Sequence, residues 1–147
     1  MALLATALAC LAMHPGCGGP AVATSPPPPS VAQFAVAYQR SGGLKAEPRS
    51  LRITRGRHAT AKGGGNAVRF RVGVRKIRRV RRGLESANIE SVPAPVPQSS
   101  VTCADCFHYR ITYRGHVAEF SQEDQPRQLV PVVNELEALI DSHLPFH

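Results

Sequence analysis

The chain has 147 residues, no tryptophan, four cysteines and a formal net charge of +8. That length holds one ordinary domain with a mostly aliphatic core. No apolar run reaches the ~18–20 residues of a membrane-crossing helix, which excludes a helical span.

Charge is segregated along the chain. Residues 1–30 contain no Asp, Glu, Lys or Arg, residues 49–82 hold thirteen Lys/Arg and no acid, and residues 83–147 hold nine acids against three Arg. The middle is therefore basic and the C-terminal third acidic.

Ala2–Met13 is an apolar run with the ~7–15 residue length of a signal-peptide hydrophobic region, although no basic segment precedes it. Cys17-Gly18-Gly19 and a Pro/Ala/Ser/Thr tract through Ser30 follow. Together they resemble the leader and tether of bacterial lipoproteins. We expect residues 1–17 to be a leader, 18–31 a Pro-rich flexible tether and 32–147 a single domain. The protein is then exported, and either membrane-anchored as a lipoprotein or secreted. Gly16 before Cys17 favours Cys17 as the lipidated residue; Cys10, after Ala7-Leu8-Ala9, is the second candidate.

Phe34, Val36 and Tyr38 alternate with Ala35, Ala37 and Gln39, which predicts a strand with one buried face. It should end at Arg40-Ser41-Gly42-Gly43, a turn or exposed loop. A second short strand covers Leu51–Thr54. Residues 56–66, with Gly56, Gly63, Gly64 and Gly65, read as a flexible loop, and Val68, Phe70 and Val72 as a third strand. Ile77, Val80, Leu84 and Ala87 then change the period to that of a helix over about 74–88, with arginines around the rest of the wheel. Gly83 weakens that helix by up to ~1 kcal/mol relative to Ala. Pro93, Pro95 and Pro97 form an extended linker.

Phe107, Tyr109, Ile111 and Tyr113 alternate up to Arg114-Gly115, and His116–Phe120 returns. A two-residue turn pairs Tyr113 with His116, Ile111 with Ala118, Tyr109 with Phe120 and Arg110 with Glu119, the last a favourable cross-strand charge pair. Pro126 suits the first turn of a final helix, with Asp124 or Gln125 near its cap and a stripe from Leu129 to Ile140. The order ββ(β)αββα predicts an α+β domain: a small antiparallel sheet of four to five strands with two helices packed on one face.

Cys103-Ala104-Asp105-Cys106 leads into a strand rather than a helix. In an exported protein this favours a Cys103–Cys106 disulfide over a redox dithiol or metal site. A zinc site would need two more ligands, and His108 and His116 fall on opposite faces of the hairpin. The arginine-rich run 69–82 reads as a solvated helix face paired with the acidic third or lying near anionic lipid, rather than as a nucleic-acid footprint. No G-x-S-x-G, H-E-x-x-H or phosphate-loop pattern is present. We expect no enzymatic activity, no catalytic residues, no metal and no cofactor.

The first strand running into Tyr38-Gln39-Arg40-Ser41-Gly42-Gly43-Leu44, and Phe107–Tyr113 with its return strand, Pro126 and Leu-rich closing helix, resemble the emfourin (protealysin inhibitor-like) family. The resemblance spans about residues 34–141 and includes Leu84-Glu85-Ser86-Ala87 where the family has its first helix. The leader, the Cys103/Cys106 pair and the density of arginine depart from the family pattern, which marks this chain as a divergent exported member. The resemblance implies a non-enzymatic inhibitor of a thermolysin-like metalloprotease that contacts its target through Arg40, Ser41, Gly42, Gly43 and Leu44. Two other readings stay open: a structural envelope lipoprotein whose basic face binds anionic lipid or an acidic partner, and a small thiol or metal module using Cys103 and Cys106.

Overall fold

The computed structural model describes residues 34–44, 47–92 and 105–144. The leader, the tether, Cys10, Cys17, Cys103 and the Pro93–Pro97 linker lie outside the described residues. Six strands and two helices follow in the order β1 (Val36–Gly42), β2 (Arg49–Ile53), β3 (His58–Gly63), β4 (Asn66–Arg71), α1 (Val74–Ser86), β5 (Phe107–Tyr113), β6 (His116–Ser121) and α2 (Val130–Asp141). They build one sheet, β4-β3-β2-β1-β5-β6, whose neighbours all pair antiparallel. The α+β class is as expected. The strand count is six rather than four to five, and the order is ββββαββα.

The additional strand, β3, lies where a flexible loop is expected. Its inward residues are Ala59 and Ala61, 3 % and 0 % exposed. Alanine gives a weak hydrophobic alternation, and the flanking glycines conceal it further. These small side chains sit opposite Ile53 and Leu51 of β2, so bulk on one strand is matched by space on the next. Gly64 and Gly65 take positive φ (56° and 74°) in the two-residue turn into β4. That conformation suits glycine and makes the tight hairpin possible.

β1 also runs further than expected. It continues through Arg40, Ser41 and Gly42, which pair with Tyr109, His108 and Phe107 of β5. α2 starts later than Pro126: Arg127–Leu129 form a 3-10 turn and the α-helix begins at Val130, with Pro131 in its first turn. Proline lacks an amide proton and is accommodated where that donor has no helical acceptor.

The β5–β6 hairpin has the expected register, with Tyr109, Arg110, Ile111 and Tyr113 opposite Phe120, Glu119, Ala118 and His116. Its turn places both Arg114 (φ 51°) and Gly115 (φ 82°) in the left-handed region. Arginine is an unusual occupant there. Contacts offset the strain: its guanidinium lies 5.0 Å from the Tyr113 ring centre and donates to Glu85 Oε1 at 3.1 Å.

One face of the sheet carries the core. Val36, Tyr38, Leu51, Ile53 and Ile111 point to Ile77, Val80 and Leu84 of α1 and to Val132, Val133, Leu136, Leu139 and Ile140 of α2 in one cluster. The alternate residues Gln39, Arg52, Lys62, Arg69 and Arg110 are exposed on the other face. Both helices thus cover one side, and among the described residues the opposite side is open.

Gly83 has a packing reason. A Cβ added there would lie 2.7 Å from Cγ2 of Val132, and a β-branched side chain has little freedom to yield. The glycine lets α1 approach α2. Gly83→Ala should therefore lower the urea midpoint despite alanine's helix propensity advantage of ~1 kcal/mol, and adding Val132→Ala should remove that specific penalty in a double-mutant cycle. A Gly83→Ala protein more stable than the parent would show that the crossing is not limited by this contact.

Candidate functional site: the clamp beneath the first turn

Arg40 of β1 and Arg49 of β2 sit directly opposite each other. Two like charges across a strand pair repel, so a third group must hold them. Glu137 and Asp141, one helical turn apart on α2, supply it. Arg40 Nη1 donates to Glu137 Oε2 at 3.0 Å and Arg49 Nη1 to the same oxygen at 3.2 Å. Arg49 Nη1 also lies 2.7 Å from Asp141 Oδ1. The other oxygen of Glu137, Oε1, accepts the Tyr38 hydroxyl.

The cluster is mostly shielded from water: side-chain exposure is 19 % for Arg40 and 15 % for Arg49 and Glu137. Tyr38 stacks on Tyr109 with ring centres 6.5 Å apart, and Tyr109 stacks on Phe120 at 5.4 Å. Burial, reinforced by the hydrogen bond to Glu137 and by its charge, holds the Tyr38 phenol far above its ordinary value. Burial also raises Tyr109 and Tyr113. With three donors on one carboxylate, this arrangement forms a clamp between the sheet and α2.

The clamp supports the turn after β1. The Arg40 guanidinium lies over the Phe107 ring, 4.5 Å from its centre. Gly42 and Gly43 have φ of 84° and 78°. A Cβ on Gly42 would come within 2.3 Å of the Cys106 carbonyl oxygen, and one on Gly43 within 2.3 Å of Phe107 Cε1. The Gly43 amide donates to that same carbonyl at 3.3 Å. Both glycines are thus required by conformation and by close approach. Leu44, immediately beyond, is 89 % exposed.

The five residues expected to form a contact loop therefore divide. Arg40, Ser41 and Gly42 belong to a paired strand, and Gly43 and Leu44 to the turn. Arg40, Gly42 and Gly43 are engaged in holding the turn, whereas Ser41 and Leu44 are exposed.

The basic helix is partly paired with the acidic third. Lys76 and Arg79 reach Glu135 at 3.5 and 2.6 Å, and Arg81 reaches Glu85 at 4.0 Å. The Arg79 hydrogen bond holds the Glu135 carboxyl below its ordinary value. His108 shares the open face with Arg110, while His116 stands opposite Tyr113 and contacts the Val92 carbonyl at 3.1 Å. The two histidines thus lie on opposite sides of the hairpin. Cys106 is buried at the entrance to β5. Among the described residues, no three His, Cys, Asp or Glu side chains converge as a metal site.

Glu137, Asp141 and Arg49 do not stand out in the sequence as site residues. Their signal is the Glu-x-x-x-Asp spacing on a helix, which acquires meaning once strand register places Arg40 opposite Arg49. No family model matches the chain, and no curated protein matches it in sequence.

The buried phenols have a consequence at high pH. Below the ordinary tyrosine value of 10.0, both folded and unfolded chains keep these groups protonated and their contribution is intact. As pH rises above it, the unfolded chain ionises first, so stability falls. In urea unfolding followed from pH 9 to pH 11.5, Tyr38→Phe should reduce the limiting slope by about 1.4 kcal/mol per pH unit, one proton's worth. An unchanged slope would mean that Tyr38 ionises normally in the folded protein.

Proposed function

We propose that the chain is a non-enzymatic binding protein of the emfourin type, which inhibits a thermolysin-like metalloprotease by presenting the turn at Gly43-Leu44 to the enzyme's cleft. The observation that carries this reading is the contrast between Leu44 and its support. Among the described residues, the large hydrophobic side chains left exposed are Leu44, at 89 %, and Val130, at 38 %. Leu44 directly follows two glycines whose backbone is held against Cys106 and Phe107.

A support of this kind suits an inhibitor. A turn already fixed in its binding conformation loses little entropy on association, so more of the contact energy becomes affinity. Leu44 would enter a hydrophobic subsite, where burying a leucine contributes about 1.5–3 kcal/mol. Ser41 would lie at the rim. Arg40, Gly42 and Gly43 act as positioning residues beneath the contact. The protease class comes from the family resemblance, and the same proposal places the protein outside the cytoplasm on a lipid anchor at Cys17.

Titrating a thermolysin-like protease with the protein tests this. Stoichiometric inhibition is expected, and Leu44→Asp, an exposed change that takes no part in the clamp's hydrogen bonds, should weaken it at least about tenfold with an unchanged unfolding midpoint. Folded protein that leaves the protease fully active at micromolar concentration would overturn the proposal. Equal inhibition by parent and Leu44→Asp would move the contact elsewhere.

A further inference from the structure

The open face of the sheet carries basic side chains that, Arg110 apart, have no ion pair among the described residues. Register aligns Arg69, Thr60, Arg52 and Ala37 across β4, β3, β2 and β1 in one row, and Lys62, Ser50, Gln39 and Arg110 in the next across β3, β2, β1 and β5. These residues line a trough of about 530 Å³. Its floor is small at Ala37 and Thr60, so the long basic side chains stand above it. Strands are about 4.8 Å apart, which places Arg52 and Arg69, two strands apart, roughly 10 Å from each other. Arg110 is paired, with Glu119 at 2.8 Å. Arg52, Lys62 and Arg69 are exposed and make no ion pair among the described residues.

We infer that this face is an electrostatic contact surface for anionic phospholipid headgroups. Its charges form a two-dimensional array over four strands rather than a single track. These two rows present no aromatic ring: Tyr38, Tyr109 and Tyr113 point into the core, and Phe70 packs against it. Stacking of nucleic-acid bases therefore has no platform here. The choice of lipid rests on the anchor reading above. Cys17 lies seventeen positions before Phe34, and a segment of that length reaches roughly 60 Å at most. A domain held so close to a bilayer needs only weak attraction to lie down on it, and each basic residue near an anionic surface contributes about 1 kcal/mol.

The alternative surface is the outer side of α1, where Arg75, Arg78 and Arg82 are also exposed and make no ion pair among the described residues. A charge-matched comparison separates the two. The full chain carrying Cys10→Ser and Cys17→Ser, and hence no lipid, is floated with vesicles of phosphatidylcholine alone or mixed with phosphatidylglycerol, at low and high salt. In this background, Arg52→Gln/Lys62→Gln/Arg69→Gln and Arg75→Gln/Arg78→Gln/Arg82→Gln remove the same charge.

Binding is expected to the mixed vesicles, with strong weakening by salt and none to phosphatidylcholine alone. The sheet variant should lose at least about thirtyfold and the helix variant less than about threefold, with circular dichroism and thermal midpoints of both near the parent's. Equal losses from the two variants, equal binding to uncharged vesicles, or tighter binding to a single-stranded oligonucleotide than to the mixed vesicles would each overturn the inference. Leu44→Asp should bind vesicles like the parent, so failure of the inhibitor reading and failure of this one are distinguishable.

Discussion

One carboxylate organises this domain. Glu137, projecting from α2, collects the Tyr38 hydroxyl and the guanidinium groups of Arg40 and Arg49 at once. Without it, two arginines would face each other across neighbouring strands in a largely shielded site. Removing Glu137 costs more than a lost hydrogen bond, because Arg40 then loses its carboxylate in a shielded site, while Arg49 keeps Asp141. The geometry of β1, the seating of α2 and the turn beyond Arg40 all meet at this point.

The clamp also gives the charge segregation of the sequence a structural meaning. Glu135, Glu137 and Asp141 of α2 neutralise Lys76 and Arg79 of α1 and Arg40 and Arg49 of the sheet. Acids of the C-terminal third are thus spent between the layers and between the helices. Among the described residues, the excess of the +8 net charge consequently emerges at Arg52, Lys62 and Arg69 on the open side of the sheet and at Arg75, Arg78 and Arg82 on the outer side of α1. Two proposed contacts follow from one plan: an apolar tip at Leu44, just beyond the neutralised cluster, and a basic sheet face on the side away from the helices.

Much of this fold was legible in the sequence, because strong alternation survives translation into structure. Phe107–Tyr113 carries large inward residues at every second position, and its opposed Arg110 and Glu119 report register directly. The α1 stripe was equally clear. β3 was not, because its inward residues are Ala59 and Ala61 and its ends are glycines. The start of α2 was misplaced because Pro126 and Pro131 both suit a helix start, and a 3-10 turn between them is what separates the two. The Arg-Ser-Gly-Gly segment was legible as a motif, but its internal division was not. That Arg40 is a half-buried brace depends on Glu137, ninety-seven residues later, while Leu44 stands exposed beyond it.

The central claim is that Glu137 offsets the repulsion between Arg40 and Arg49, and a double-mutant cycle of urea unfolding with Glu137→Ala and Arg49→Met tests it most directly. Glu137→Ala alone should cost about 3 kcal/mol. Arg49→Met should destabilise the parent yet recover part of the loss in the Glu137→Ala background, giving a coupling energy of about 1 kcal/mol or more. Additive effects, or a Glu137→Ala cost below about 1 kcal/mol, would show that the cluster is an incidental surface pairing and that the first turn is held by other means.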